Sequence, residues 1–151
     1  AETLKDFHGV EHRLEFVAEI GQVKFINDSK ATNPHSAQKA IEALNEPIVL
    51  IAGGYDKKSD YTDFIRAFSG KVKKLILIGD TADVIEDAAK KQGFYDIQKT
   101  DSLQQAVKLA YSAATPGDVV LLSPACASWD MFESFEERGR IFKEAVYSLK
   151  T

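Results

Sequence analysis

The sequence has little cysteine: Cys126 is the only one in 151 residues. No disulfide can form within the chain, which fits a reducing cytosol better than secretion, so we expect a cytoplasmic protein. Metal clusters built on cysteine are excluded as well, and we expect no metal site in this sequence. Catalysis by the thiol stays an alternative, although no spacing links Cys126 to His8, His12 or His35.

Long apolar runs and an excess of basic residues are also missing. No stretch approaches the roughly 18 apolar residues of a membrane span, and residues 1–20 mix charges throughout, unlike a signal peptide. The formal net charge is −4, from 19 Lys and Arg against 23 Asp and Glu. Nucleic-acid and anionic membrane surfaces need the opposite balance, so we expect neither as a partner.

The chain contains a single methionine and begins with Ala1, from which we expect a piece of a longer protein. Its length corresponds to one domain and supports a core without disulfide or metal staples. Neither GxGxxG nor GxxxxGK[ST] occurs, so the two common phosphate-binding loops are absent from this sequence.

Two kinds of strand pattern are present. Residues 14–27 alternate apolar and polar side chains around Gly21-Gln22, which predicts a hairpin. Later apolar runs are too hydrophobic for a sheet with one face in water and predict strands covered on both sides, as in a parallel sheet. These runs are Ile48–Ala52, Leu75–Ile78 and Val119–Leu122, with a weaker strand predicted at Tyr95–Lys99.

Four segments with helical spacing of apolar residues separate or follow these strands. Asn33-Pro34 predicts a capped helix start, and Ser102 with Gln105 matches a capping box. Asp80 and Asp130 are predicted to cap two further helices. The alternation predicts an α/β, Rossmann-like three-layer sandwich of about six mostly parallel strands, with an antiparallel edge hairpin.

Polar segments follow three of the predicted strands: Asn27–Asn33, Gly53–Lys58 and Ser123–Ser128. Ligands of open α/β sheets bind outside the carboxyl ends of the strands, so these segments are expected to meet at one edge. Lysines, hydroxyls and a helix N-terminus gathered there would suit a carboxylate or a phosphate.

Taken singly, each of these residues has a simpler interpretation. Gly53-Gly54 is typical of a turn, Lys57 and Lys58 of solvated surface charge, and Ser128 of a helix cap. Asp28 fits a turn residue as well as a ligand-binding one. Arg13 fits the surface, and Phe135 fits the core of the last helix.

Five motifs nevertheless follow one another from about residue 10 to the end. They are His12-Arg13, NDSKATN at Asn27–Asn33, Gly53-Gly54 with Lys57, SPACAS at Ser123–Ser128 continuing through Trp129-Asp130, and FEERG at Phe135–Gly139. Together they resemble the C-terminal domain of the Mur ligases, and most of all that of the D-glutamate-adding ligases. We therefore expect residues 11–151 to be this domain and residues 1–10 to be a linker or the domain edge.

The resemblance implies an ATP-dependent amide ligase of bacterial peptidoglycan synthesis. ATP phosphorylates the terminal carboxylate of UDP-N-acetylmuramoyl-L-alanine, and the amine of D-glutamate displaces phosphate from the acyl phosphate. The implied partners are these substrates and the N-terminal and central domains of the same monomeric enzyme. The phosphate loop and the Mg²⁺ ligands are expected on the central domain, so the isolated C-terminal domain should not turn over.

The resemblance also implies roles for individual residues. Arg13 and Asp28 match residues that contact ATP, the arginine at phosphate and the aspartate at the ribose hydroxyls. Lys30 matches a lysine near the reacting groups, where positive charge favours the anionic intermediate. The positions that match a D-glutamate site are Thr32, Lys57, Ser128, Trp129 and Phe135.

This sequence departs from its relatives at two positions. Lys58 stands where many of them have glycine, which leaves open which of Lys57 and Lys58 meets the D-glutamate carboxylate. Trp129 stands where some relatives have a smaller apolar residue. An alternative function is that of a non-catalytic Rossmann-like module, which binds a nucleotide or docks a partner. A phosphate loop encoded upstream of this sequence would favour the ligase over this module.

Overall fold

The computed structural model describes residues 10–150, which form one open six-stranded sheet with five helices. The strands are β1 (Glu15–Ile20), β2 (Val23–Asn27), β3 (Ile48–Ala52), β4 (Val72–Leu77), β5 (Ile97–Lys99) and β6 (Val119–Leu122). The helices are α1 (Pro34–Ala43), α2 (Thr62–Arg66), α3 (Ala82–Lys91), α4 (Leu103–Ala113) and α5 (Phe135–Ser148). The expectation for residues 1–10 falls outside this description except at Val10.

The sheet has the order β1-β2-β6-β3-β4-β5. β1 and β2 form the predicted antiparallel hairpin, and Gly21 (φ 57°) and Gln22 (φ 64°) supply the positive φ angles that a tight hairpin turn requires. The other neighbouring strands are parallel. The predicted sheet of six mostly parallel strands with an antiparallel edge is therefore confirmed.

Helices cover the sheet on both faces. Successive residues of β3 point to opposite sides, so Leu50 packs in the core beneath α1, α2 and α3, whereas Ile51 packs beneath α4 and α5. All five residues of β3 are buried. This two-sided burial explains the uninterrupted apolar runs and confirms the three-layer architecture.

Two helix starts follow the predicted capping chemistry. The Asn33 side chain accepts from the Ser36 N–H at 2.9 Å, and Ser102 Oγ accepts from the Gln105 N–H at 3.1 Å. Each bond satisfies a backbone donor that has no partner inside the helix.

The predicted caps Asp80 and Asp130 are wrong. Thr81 precedes α3 and makes no side-chain capping bond, while Ser134 caps α5 by accepting from the Glu137 N–H. Asp130 Oδ2 accepts instead from the Asp80 N–H at 3.0 Å, so the two residues bond to each other across the sheet edge.

Helix α2 was not predicted, because its five residues are too few to show a helical period. It is held by aromatic packing, in which the Phe64 ring lies between Tyr61 and Phe68 with edge contacts to both. The bounds of two strands also differ: β4 runs from Val72 to Leu77 rather than from Leu75 to Ile78, and β5 begins only at Ile97. Within residues 10–150, no helix is both long and apolar enough to span a membrane.

Candidate functional site

The segments after β2, β3 and β6 meet at the carboxyl ends of the parallel strands, as the sequence predicts. Ser123 Oγ donates to Asp28 Oδ2 at 2.8 Å, and the Ala125 N–H donates to the Ala31 carbonyl at 3.0 Å. The Gly53 N–H donates to the Pro124 carbonyl at 2.9 Å. Direct bonds therefore join three segments that lie far apart in the sequence.

A cleft of about 390 Å³ opens beside the segment that follows β2. Arg13, Asp28 and Lys30 line it together, so the structure brings these three predicted residues to one place. His35 and Lys39 extend the lining along one face of α1. The cleft thus combines several cationic groups with one carboxyl group, a set that suits a phosphorylated ligand bearing hydroxyls.

Asp28 is the buried polar group of this cleft, with 4% of its surface exposed. Its Oδ1 accepts from the Leu14 N–H at 3.0 Å, and its Oδ2 accepts from Ser123. Burial raises the pKa of the carboxyl to about 6, against the lowering effect of these bonds and of nearby Arg13. Each oxygen has a further lone pair with which it can accept from a ligand hydroxyl.

The loop carrying Lys57 lies against the loop carrying Ser128. Tyr55 and Ala127 form an antiparallel bridge, in which the Tyr55 N–H donates to the Ala127 carbonyl at 2.9 Å. The Tyr55 ring also packs on the Trp129 ring, with centroids 5.4 Å apart. Ser128 is buried, whereas Trp129 is 64% exposed, so the indole forms part of the rim.

Lys57 and Lys58 differ in their surroundings. The Lys58 N–H donates to Asp56 Oδ1 at 2.8 Å, and its Nζ lies 3.6 Å from Asp56 Oδ2. Lys58 has a φ of 60°, a left-handed conformation that favours glycine. Lys57 is exposed and makes no ion pair with another residue in the range 10–150. Of the two lysines, only Lys58 has a carboxylate of the described residues within ion-pair distance.

Thr32 and Phe135 lie near the N-termini of two helices at this edge. Thr32 immediately precedes Asn33, the cap of α1, and Phe135 opens α5. The Phe135 carbonyl accepts from Ser29 Oγ at 2.7 Å, and its ring makes an edge contact with His12. Helix N-termini present partial positive charge, which favours an anionic ligand at this edge.

Several non-glycine residues beside the candidate site adopt positive φ angles. They include His12 (φ 68°) and Leu14 (φ 44°) around Arg13, Lys58 after Lys57, and Ala125 (φ 64°) before Ser128. Such conformations cost energy in side-chain-bearing residues and concentrate at functional sites. Contacts with the surrounding structure therefore hold these residues in conformations that their own backbone preferences disfavour.

Cys126 lies beneath the site and is 2% exposed. Its Sγ is 3.3 Å from Tyr61 Oη and 3.4 Å from Thr81 Oγ1. Burial raises the pKa of the thiol, which disfavours the nucleophilic thiolate. The structure therefore argues against the alternative of a thiol enzyme.

Glu11, His12 and Glu15 place possible metal-ligand atoms within 4.8 Å of one another. Lys143 Nζ already donates to both carboxylates, at 2.8 Å from Glu11 and 3.2 Å from Glu15. The Lys143 ammonium group thus occupies the position of a cation between Glu11 and Glu15 and neutralises their charge in place of a metal ion.

The sequence analysis assigns no site role to Tyr55, His35, Lys39 or Arg138, although Tyr55 lies in the Gly53–Lys58 segment and Arg138 in the FEERG motif. The four-residue spacing of His35 and Lys39 puts them on one helix face, a signal that could have indicated their joint presence in the cleft. The positions of Tyr55 and Arg138 depend on contacts between distant segments, for which the sequence carries no pattern.

The fold and the site define a Rossmann-like α/β domain with a ligand-binding edge rich in cationic groups. A family model described as the Mur ligase, glutamate ligase domain matches residues 12–126. The chain belongs to this family.

Relatives with assigned names extend the comparison. A UDP-N-acetylmuramoylalanine–D-glutamate ligase of Thermoanaerobacter sp. (strain X514) is 64% identical over 99% of this chain and 34% of its own length. The ligase of the same name from Alkaliphilus oremlandii is 58% identical over 98% of this chain and 33% of its own length. The chain spans about a third of the length of these relatives.

Solved structures share the fold at low sequence identity. The UDP-N-acetylmuramate–alanine ligase of Thermotoga maritima aligns with a TM-score of 0.65 at 20% identity, over 98% of this chain and 33% of the other. A bifunctional folylpolyglutamate synthase/dihydrofolate synthase of Yersinia pestis, complexed with AMPPNP and a Mn ion, aligns with a TM-score of 0.64 at 18% identity. The alignment covers 95% of this chain and 32% of the other.

Proposed function

We propose that this chain is the C-terminal domain of an ATP-dependent amide ligase that adds D-glutamate to UDP-N-acetylmuramoyl-L-alanine. It would supply the D-glutamate site and part of the ATP site. The observation that carries the proposal is the meeting of the Asp28–Thr32, Tyr55–Lys57 and Ser123–Trp129 segments at one edge of the sheet. The high sequence identity to UDP-N-acetylmuramoylalanine–D-glutamate ligases supports D-glutamate as the amino-acid substrate.

The two carboxylates of D-glutamate have suitable partners in this arrangement. The exposed ammonium group of Lys57 is a point charge for one of them. The hydroxyls of Thr32 and Ser128 donate to the other, while Trp129 and Phe135 bound the pocket. These contacts hold the amino acid so that its amine faces the acyl phosphate.

ATP would lie in the cleft beside α1. Arg13 reaches the phosphates with its planar guanidinium group, and Asp28 accepts from the ribose hydroxyls. Lys30, on the same cleft wall, places positive charge near the anionic tetrahedral intermediate. These groups stabilise charge and position the substrates but do not form covalent bonds with them.

Mg²⁺ serves with ATP in the complete enzymes of this family, but the described cleft does not fit this ion. It offers one carboxyl group, on Asp28, beside the cationic Arg13 and Lys30, whereas Mg²⁺ needs an octahedral set of oxygens. The magnesium ligands belong in this proposal to the central domain. The proposal also includes a monomeric enzyme in the bacterial cytoplasm.

The test is phosphate release by the complete protein. Release that requires ATP, UDP-N-acetylmuramoyl-L-alanine and D-glutamate together, and that yields the amide, supports the proposal. The 151-residue chain alone should release no phosphate, because this sequence has no phosphate loop. An upstream sequence without a phosphate loop, or a complete protein that binds nucleotide without turnover, would favour the non-catalytic module.

A further inference from the structure

Arg138 is a buried cation directly beneath the candidate site. Only 1% of its surface is exposed. Its Nε donates to Ser29 Oγ at 2.9 Å, its Nη2 donates to the Ser29 carbonyl at 2.8 Å, and its Nη1 donates to the Cys126 carbonyl at 3.0 Å. One guanidinium group therefore fixes the segment after β2 and the segment after β6 at once.

The charge of Arg138 is not matched by a carboxylate in contact with it. Its three bonds all end on neutral oxygens, and no ion pair joins it to another residue in the described range 10–150. Burial lowers the pKa of the guanidinium only to about 10, so the group stays charged at neutral pH. The negative charge of Asp130, which makes no ion pair with Arg138, raises this pKa from a greater distance. Burying a charge without a carboxylate in contact is costly, and a cost of this kind is expected where function requires it.

Each segment that Arg138 touches carries a residue of the proposed D-glutamate site. Ser29 precedes Lys30 and Thr32, and Cys126 precedes Ser128. Ser29 Oγ accepts from Arg138 and donates to the carbonyl of Phe135, which connects the same network to the start of α5.

The loop after β3 also packs closely on this network. A Cβ atom added to Gly54 would lie 3.4 Å from Arg138 Nη1 and 2.5 Å from the Ala127 carbonyl oxygen. Glycine therefore allows the loop that leads to Lys57 to lie against the Ala127 carbonyl, which places this loop beside the guanidinium group. All the segments that carry the proposed D-glutamate residues thus surround one side chain.

We propose that Arg138 is a positioning residue for the amino-acid substrate. Its guanidinium group holds the segments of Thr32, Ser128 and Phe135 at the spacing that binds the two carboxylates, and its charge favours an anionic ligand at this edge. This inference rests on the proposed function, and it predicts that loss of Arg138 affects the use of D-glutamate more than the use of ATP.

The test compares Arg138→Gln, Arg138→Lys and Arg140→Gln in the complete ligase. Arg140 lies on the same helix but is exposed, so its change is the matched control. Arg138→Gln should raise KM for D-glutamate about tenfold or more, because small displacements of binding groups weaken binding strongly. KM for ATP should change by less than about twofold. Arg138→Lys, which keeps the charge but not the fork, should lie between wild type and Arg138→Gln, and Arg140→Gln should match wild type.

A second variant covers the case in which Arg138→Gln does not fold. Ser29→Ala keeps the guanidinium group but removes the hydroxyl between Arg138 and Phe135, and should raise KM for D-glutamate about fivefold, equivalent to one hydrogen bond. In a double-mutant cycle, the two changes should be less than additive.

Other outcomes overturn the inference. An unchanged KM for D-glutamate in Ser29→Ala or in folded Arg138→Gln, or equal losses for D-glutamate and ATP, would leave Arg138 a purely structural role. Failure of the proposed function would be seen separately, as a wild-type ligase that does not use D-glutamate at all.

Discussion

Tyr55 and Ala127 connect the two loops that carry the proposed contacts to D-glutamate. The Tyr55 N–H donates to the Ala127 carbonyl at 2.9 Å, although 72 positions separate the residues in the sequence. Lys57 follows Tyr55 by two residues, and Ser128 follows Ala127. The spacing between a cationic and a hydroxyl partner of the substrate therefore depends on this bridge.

The ring of Tyr55 should contribute to this spacing through its contact with Trp129. Tyr55→Ala in the complete ligase should raise KM for D-glutamate about three- to tenfold, because the Lys57 loop then loses its aromatic support. Tyr55→Phe keeps the ring and should behave as wild type. Tyr95→Ala is the control, since Tyr95 is 69% exposed and lies at the far edge of the sheet. A normal KM in Tyr55→Ala would show that the backbone bridge alone suffices.

Lys57 and Lys58 should differ sharply on substitution. Lys57→Ala should raise KM for D-glutamate about tenfold or more while leaving KM for ATP nearly unchanged, because a charged partner of a carboxylate is lost. Lys58→Gly should have little effect, since Lys58 points to Asp56 and its positive φ suits glycine. Steady-state kinetics of both variants measure the KM values for D-glutamate and ATP. A larger effect from Lys58→Gly would assign the carboxylate to Lys58 instead.

Asp28 should make the stability of the domain depend on pH in an unusual direction. Its folded pKa of about 6 exceeds the ordinary 3.8, so the folded state binds more protons between these values. Stability from this group is therefore highest at low pH and falls as pH rises through this window. Asp28→Asn removes the dependence, which amounts to at most roughly 3 kcal/mol for a shift of about two units.

Urea unfolding of the 151-residue chain near pH 5 and pH 7.5 measures this effect. The wild type should gain stability relative to Asp28→Asn at the lower pH. Asp118→Asn is the control. Burial alone would raise the pKa of Asp118, but the Lys73 ammonium and Thr115 lower it, so its titration lies below this range. If the difference in unfolding free energy between wild type and Asp28→Asn does not change with pH, the raised pKa assigned to Asp28 is contradicted.

Cys126 should react slowly in the folded protein. Its thiol is buried and its pKa is raised, so alkylation should be about a hundredfold or more slower than in urea. Mass spectrometry of timed iodoacetamide reactions measures the rate. Rapid labelling of the folded chain, with loss of activity in the complete ligase, would restore the thiol mechanism.

Local patterns predicted the parts of the fold that depend on neighbours in sequence. The apolar run Ile48–Ala52 predicts a strand covered on both faces, and Asn33 and Ser102 act as the predicted helix caps. Asp130 fails as a cap because its partner, the Asp80 N–H, lies 50 positions away. A capping residue competes with such distant donors, and the sequence does not show which one prevails.

The site could be predicted as a set of residues but not as a geometry. The order of the polar segments placed Asp28 and Lys57 at one edge of the sheet, whereas the bonds between those segments appear only in the folded chain. Arg138 belongs to the FEERG motif, but the sequence predicts no role for it. An arginine in a charged helical segment predicts a surface position, and only packing against Ser29 and Cys126 puts it in the interior.

The most direct test of the central claim is to map amide chemical shifts of the 151-residue chain during titration with D-glutamate and then with ADP. D-Glutamate should bind weakly and shift the amides of Thr32, Lys57, Ser128 and their neighbours, and ADP should then shift those of Arg13 and Asp28. Changes from D-glutamate at another face of the domain, with none at this edge, would contradict the account.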